Sequence, residues 1–347
     1  MPFTLDELEN VANATIDFHA NRPEVRAQSI QDKPLLKIMR SKEQSFPGGK
    51  DEITVGVKGT RTNVLQGFEH DDQVSYYNPA NIKRARYPYK LLHSGLKFTL
   101  HELAKDGISI KDTSTGKGEA QHSQREKTAL ANILSEKVDD WMEDTDTDFN
   151  LMFWRDGTQD ADKVPGILSF ILDDPTTATV IGGIDQSANV WWRNRANVAI
   201  DASTASNSNI VKTLQSEWRQ LRRYRGRPDT VLCGSDFLQA LENELRALGT
   251  LTDSGWKSTK QTDASIADVY FKGVKFEYDP TLDDEGKAKY CYILDSRRIH
   301  PMAIEGESMK KHNPARPADR YVVYRALTWM GGLTCSQRNA NGVYAIL

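Results

Sequence analysis

The chain is poor in the residues that usually announce a function. Three cysteines, Cys233, Cys291 and Cys335, are scattered over 347 residues in no metal-ligand spacing. An odd set so spread excludes a disulfide framework and a zinc module. The cysteines read instead as small buried residues in a reducing compartment. Seven histidines fall in no HExxH-like pattern, and the sequence holds neither a GxSxG elbow nor a GxxxxGK[ST] phosphate loop. Positive charge is not in excess: Lys+Arg 45 against Asp+Glu 48 gives a net charge of −3. Proteins whose main task is to grip nucleic acid are usually strongly basic. No run of about 18 apolar residues occurs, and the N-terminal stretch "MPFTLDELENVANATIDF" lacks the apolar segment of a secretion signal. The expectation is a soluble protein made in a cytoplasm, with no membrane partner and no cofactor.

Apolar residues are scarce too. They make up 38% of the chain, and with glycine counted in place of tyrosine the share still lies below the ~45–50% usual for globular domains. Part of the chain is therefore expected to lie outside any self-contained core. The polarity is concentrated in residues 46–107. There "FPGGKDEITVGVKGT" offers an alternating strand through Ile53, Val55 and Val57, and "GLKFTLHEL" a second through Leu96, Phe98 and Leu100. Between them runs a long excursion rich in Gly, Asn, Asp and Tyr, containing Tyr76 and Tyr77. A structureless loop of that length is uncommon inside a compact domain, so the segment reads as an extended hairpin arm.

What is present is a clear order of elements. Thr4 and Glu7 form a capping box ahead of the apolar positions Leu8, Val11, Ala12 and Ile16, which predicts an N-terminal amphipathic helix. From Gln121 onward, Leu130, Ile133, Leu134, Val138, Trp141, Met142, Phe149 and Phe153 recur at helical spacing, ended by "DGTQDADKVPG". That helix is longer than the ~8–20 residues common in globular proteins. An α/β region follows, with helices at "SEWRQLRRYRG" and "SDFLQALENELRALG" and strands at "PDTVLC", "YFKGVKFEYDP" and "KAKYCYILD". Two long strands, "RIHPMAIEG" and "YVVYRALTWMGGLTC", are linked by "ESMKKHNPARPADR", and "SQRNANGVYAIL" adds a last short strand.

Residues 182–195, "GGIDQSANVWWRNR", form the densest cluster of unusual residues. Gly182 and Gly183 permit a tight turn, and Asp185 can accept from backbone amides two residues on. As a strand, "VWWRN" would turn Trp191 and Trp192 to opposite faces, one inward and one free for a partner beside Arg193 or Arg195. Trp and Arg are enriched at interface hot spots; coverage of both rings within one subunit is the alternative. The stretch "KRARYPYK", with Arg84 and Arg86, can meet phosphates or protein, and its place on the proposed arm favours protein. The link between the two last long strands gathers Lys310, Lys311, Arg316 and Arg320, stiffened by Pro314 and Pro317. These cations suit a tip lying against neighbouring subunits. The arginine run "WRQLRRYRGR" can meet phosphates, but a solvated or subunit-facing helix side is the simpler reading.

The order of arm, hairpin, long helix, α/β region and final long strands resembles the tailed-bacteriophage major capsid protein, the α+β fold named after coliphage Hong Kong 97. "GGIDQSANVWWRNR", "PDTVLCGSDFLQAL", "FKGVKFEYDP" and "ALTWMGGLTCSQRNANGVYAIL" are similar to segments of that family, and the resemblance covers nearly the whole chain. It implies an N-arm at residues 1–45 and an E-loop within 46–107. It also implies a P-domain of residues 108–165 and 299–335 and an A-domain of residues 166–298 and 336–347. In that family the chain forms hexamers and pentamers of an icosahedral head around double-stranded DNA, with a portal protein at one vertex. No N-terminal helical segment of scaffold size opens the sequence, so a separate scaffolding protein, or a scaffold-free start, is expected, and a decoration protein is a further candidate partner. Enclosure of DNA without sequence-specific binding suits a small negative charge. An encapsulin-type compartment shell is the alternative within the fold, and a nucleic-acid-processing enzyme the alternative outside it.

Overall fold

The computed structural model describes residues 3–4, 31–60, 65–76, 81–99, 101, 110–111, 124–247, 269–312, 314 and 322–347. They fall into two compact units. One holds the described residues of 1–31, 91–149 and 306–330; the other holds 32–90, 150–305 and 331–347.

The first unit contains most of the long helix, which runs Gln124–Trp154 without interruption through "DTDTD". Threonines there can compete with the backbone ladder. Here Thr145 and Thr147 donate back to the carbonyls of Trp141 and Glu143, at 2.7 and 2.9 Å, and the helix continues. Its inward side is fixed by Trp141, whose Nε1 donates to Ser94 Oγ at 2.7 Å, and by Phe149, whose ring meets Trp329 edge-on at 5.7 Å. Ser94 and Phe98 belong to the strand Lys90–Thr99, whose alternation around Leu96 and Phe98 matches the sequence. Phe3–Thr4 pair in parallel with Ile110–Lys111 as a short strand. Thr4, expected to cap a helix, is thus in extended backbone; Leu8 to Ile16 lie outside the described residues, as do Leu100, Tyr77, Arg316 and Arg320.

In the second unit a six-stranded sheet runs in the order Tyr270–Phe271, Val274–Tyr278, Thr230–Cys233, Tyr290–Leu294, Gly342–Ile346, Arg195–Ile200. Val231, Cys233, Phe276, Cys291, Ile293 and Tyr344 on one face pack with Ile210, Leu214, Trp218 and Leu221 of the helix Asn209–Arg222 and Phe237 and Leu241 of the helix Ser235–Ala247. Every residue of Thr230–Cys233 is buried, as the charge-free run "TVLC" requires of a central strand. The buried carboxylate of Glu244 joins the two helices by accepting from the N–H groups of Ile210 and Val211, at 3.0 and 3.1 Å, which the first turn of a helix leaves unpaired. Against the other strands, Trp154 stands 5.2 Å from the Tyr292 ring and donates to Asp279 at 2.9 Å. Asp279 also caps the short helix Pro280–Asp284, accepting from the Thr281 N–H.

A second sheet orders Lys310–His312, Val322–Cys335, Ile299–Ile304 and Gln44–Phe46, with Lys90–Thr99 also paired to Val322–Cys335. The two long strands expected near the C-terminus therefore pair directly, Ile299 opposite Cys335. Lys310 and Lys311, read as part of a linking tip, sit in a strand opposite Thr328 and Leu327. A helix unforeseen in the sequence covers Pro34–Ser41. Pro34 is tolerated in its first turn, where no ladder N–H is needed, and Leu35, Leu36 and Met39 are buried.

The hairpin arm is real but differently built. Glu52–Lys58 pairs antiparallel with Ile82–Pro88, Ile53 opposite Tyr87, and not with the strand through Leu96 and Phe98. The basic stretch alternates after all: Ala85 and Tyr87 are buried while Lys83, Arg84 and Arg86 are exposed. Charges at Lys83, Arg84 and Arg86 mask a strand with only two buried side chains.

Candidate subunit interface

The stretch 182–195 is organised by backbone turns and by one buried cation. Val180–Ile181 and Ile184–Asp185 form a minimal hairpin, whose two central residues Gly182 and Gly183 have φ of +60° and +74°. Such a turn needs positive φ at both positions, which glycine alone adopts without cost. Asp185 accepts from the Ser187 hydroxyl and N–H, both at 2.7 Å, and these bonds hold its carboxyl below the usual carboxylate range. The chain then makes one 3-10 turn, Val190–Trp192, rather than the strand that alternation suggested. Glycine turn, Asx turn and 3-10 turn follow in succession because residues 185–189 supply local hydrogen bonds that compete with a sheet ladder.

The 3-10 turn sends the two tryptophans to different neighbours. Trp192 is 2% exposed and donates from Nε1 to the Ile181 carbonyl at 3.0 Å. Trp191 is half-buried, and its indole lies on Gly59 so closely that a Cβ there would stand 2.9 Å from Cε2. Gly59 adjoins the strand Glu52–Lys58, so Trp191 clamps the base of the hairpin arm of its own chain. Two further contacts fix the same base. Arg86 N–H donates to the Gly182 carbonyl at 3.0 Å, and Lys83 Nζ donates to Asn189 Oδ1 at 2.8 Å.

The arginines are engaged internally. Arg193 donates to the carbonyls of Gln186 and Ser187 at 2.8 and 2.9 Å. Arg195 forms a two-pronged pair with Glu217, both contacts at 2.8 Å, and the bond to Glu217 raises its pKa. A third arginine, passed over in the sequence, organises the site. Arg338 is fully buried. It donates to the Phe170 carbonyl at 2.6 Å, the Trp192 carbonyl at 3.0 Å, Gln186 Oε1 at 3.1 Å and Asn194 Oδ1 at 3.0 Å. Burial lowers its pKa to about 10. Only its position in the polar turn "SQRNANG" between two buried strands hinted at this role.

Of the remaining sequence candidates, Tyr76 is 92% exposed, and Arg84 and Arg86 are exposed on the outer face of the hairpin. Lys310 pairs with Glu307 three residues earlier, and Lys311 is exposed. The structure thus holds Trp191, Trp192 and Arg193 in the turn beside the hairpin base, whereas Arg195 is engaged by Glu217 of the helix Asn209–Arg222. The excursion beyond that base leaves Leu65, Phe68 and Tyr76 largely in solvent. Among the described residues, no group of three or more His, Cys, Asp or Glu is arranged to hold a metal ion, and no helix is long and apolar enough to cross a membrane.

No family model and no curated protein matches the sequence. Solved structures do match. The capsid asymmetric unit of cyanophage A-1(L) superposes with a TM-score of 0.63 at 14% identity, over 93% of this chain and 95% of that one. The capsid of Myoviridae phage XM1 gives 0.52 at 13% identity, over 94% and 96%. A structure of Gordonia phage Cozz gives 0.50 at 12% identity, over 93% and 89%. At such identity the likeness speaks of backbone architecture, and that architecture extends over nearly the whole chain: it is the Hong Kong 97-like fold of phage capsid proteins.

Proposed function

We propose that this chain is the major capsid protein of a tailed double-stranded DNA bacteriophage, a structural protein that assembles itself as hexamers and pentamers into an icosahedral head. The observation that carries the reading is the match to the cyanophage A-1(L) capsid subunit across 93% of the chain. The hairpin supports it. Its base is clamped by Trp191, Gly182 and Asn189 of the same chain, while among the described residues Leu65, Phe68 and Tyr76 beyond the base are 96%, 67% and 92% exposed. A rigid base with an uncovered apolar extremity is what an inter-subunit contact requires. Arg84, Arg86 and Lys311 add cations that acidic side chains of adjoining subunits can offset; Arg316 and Arg320 carry the same proposal from sequence alone.

In this reading the protein resides in the virion and encloses DNA, after assembly in the host cytoplasm. A portal protein at one vertex and a scaffolding protein are the further partners of assembly, and a decoration protein can bind the finished wall. Native mass spectrometry of the purified protein tests the building unit. Species of five and six subunits are expected, and a strictly monomeric protein at all concentrations would contradict the proposal. Shells that enclose protein cargo and never DNA would favour the encapsulin-type alternative.

A further inference from the structure

The most strongly charged surface left unused by the assembly contacts is the corner after the helix Asn209–Arg222. Residues 219–227, "RQLRRYRGR", hold five arginines and no carboxylate. Trp218 and Leu221 turn into the core, and Arg219, Arg222, Arg223, Arg225 and Arg227 are exposed. Cations near a helix C-terminus are favoured by the helix dipole. That accounts for Arg219 and Arg222, but not for three more arginines past the end.

The corner is held in one shape. Arg225 adopts φ +66°, and its N–H donates to the Arg222 carbonyl at 3.1 Å. Gly226 is wedged so tightly that a Cβ would lie 2.3 Å from the Leu221 carbonyl oxygen. Gln337 donates to the Tyr224 carbonyl at 2.9 Å, and Arg227 N–H to Asp295 at 2.8 Å. The carboxylates of this network are already committed. Asp295 receives the Arg297 guanidinium at 2.9 and 2.7 Å, Asp229 receives Ser296 at 2.8 and 2.7 Å, and Glu217 receives Arg195. Among the described residues none of the five arginine side chains has an ion-pair partner; Arg223 lies over the Tyr224 ring at 5.6 Å.

Guanidinium groups crowded on a fixed corner repel one another, and a polyanion relieves that repulsion. A protein partner would be expected to find an apolar centre here, yet Tyr224 is the one large hydrophobic residue exposed on the corner. Arginine forks suit phosphate oxygens. We infer that residues 222–227 bind the phosphate backbone of duplex DNA without reading its bases, an inference that rests on the chain being the wall of a DNA-filled shell. A net charge of −3 opposes any general attraction of DNA to the chain. The wall then holds DNA weakly and in a salt-sensitive way.

Anisotropy of a labelled random-sequence duplex of about 30 base pairs, titrated with purified protein over a salt series, tests the inference. The variant is the triple substitution Arg222→Gln, Arg223→Gln and Arg227→Gln, which leaves the left-handed Arg225 alone. The slope of log affinity against log salt should fall by roughly 2–3, near one unit for each phosphate contact removed, and low-salt affinity should drop at least about tenfold. The matching triple lysine variant should keep most of the slope, and shell yield by electron microscopy should equal wild type for both. An unchanged slope and affinity would overturn the inference. So would loss of shells with DNA affinity intact, which would mark the corner as a subunit contact. Wild-type protein that binds DNA through this corner but never forms shells would instead contradict the capsid reading.

Discussion

Arg338 donates to the Trp192 carbonyl at 3.0 Å while its guanidinium stands 5.7 Å from the centre of the same indole. One buried cation near the C-terminus thus fixes the turn that positions the hairpin arm, some 150 residues earlier in the chain. Replacing Arg338 by Met keeps the bulk but leaves three acceptors, from Phe170, Gln186 and Trp192, without their donor, while Asn194 Oδ1 keeps the Leu172 N–H at 3.2 Å. Each buried acceptor so abandoned costs about 1–3 kcal/mol, so the subunit should lose at least ~3 kcal/mol in urea unfolding. Lysine, with one short-range ammonium in place of a fork, should restore little. A loss below ~1 kcal/mol would show that the network does not hold the site.

The two tryptophans should separate in their effects. Trp192→Ala should cost about 3–5 kcal/mol, as expected for a fully buried ring. Trp191→Ala removes a half-buried ring and should cost less, but it should release the hairpin base. Amide exchange over 52–58 and 82–88 should then quicken in Trp191→Ala while the six-stranded sheet stays protected. Equal stability losses with an unaltered hairpin would contradict this division, and normal assembly of both variants would remove the stretch from the assembly account.

Much of this was legible in the sequence, and the gaps have definite causes. The long helix and the strand Thr230–Cys233 follow from apolar spacing over many residues. The hairpin's second strand did not show, because Ala85 and Tyr87 are its only buried side chains and Lys83, Arg84 and Arg86 interrupt the apolar pattern. The 3-10 turn at Val190–Trp192 was read as a strand because two adjacent tryptophans carry β-propensity, whereas the hydrogen bonds of Asp185 and Asn189 decide the backbone. Arg338 was invisible for a different reason. Two of its four acceptors are backbone carbonyls, which leave no mark on sequence, and the other two, Gln186 and Asn194, lie about 150 residues away.

Stability should fall in mild alkali. Burial pushes the Cys335 thiol up to about 12 and raises the Tyr292 and Tyr344 phenols. These groups keep their protons in the fold, while unfolded thiols and phenols release theirs from pH ~8.5 and ~10. Their contribution is therefore complete below those values and lost as pH rises. Arg338 works the opposite way, since its lowered pKa favours the fold as pH rises, but only above about 10. The urea midpoint should hold steady from pH ~7 to ~8 and then decline toward pH ~10. A midpoint that is flat or rising over that interval would contradict the assignment.

Hydrogen exchange should divide the hairpin in the unassembled subunit. Its base, with Ile53, Val57, Ala85 and Tyr87 buried, should be protected, and residues 65–76 should exchange fast because few internal contacts cover them. In assembled particles residues 65–76 should slow markedly. Protection of that segment in the free subunit, unchanged on assembly, would show that neighbours are not what orders it.

The central claim is that the chain builds a closed shell from copies of itself. Electron microscopy of the purified protein, expressed alone and with a candidate scaffolding protein, tests it most directly. The account predicts closed particles of uniform curvature whose averaged walls resolve into rings of six and five subunits. Dispersed subunits under both conditions, with the fold intact by circular dichroism, would contradict it.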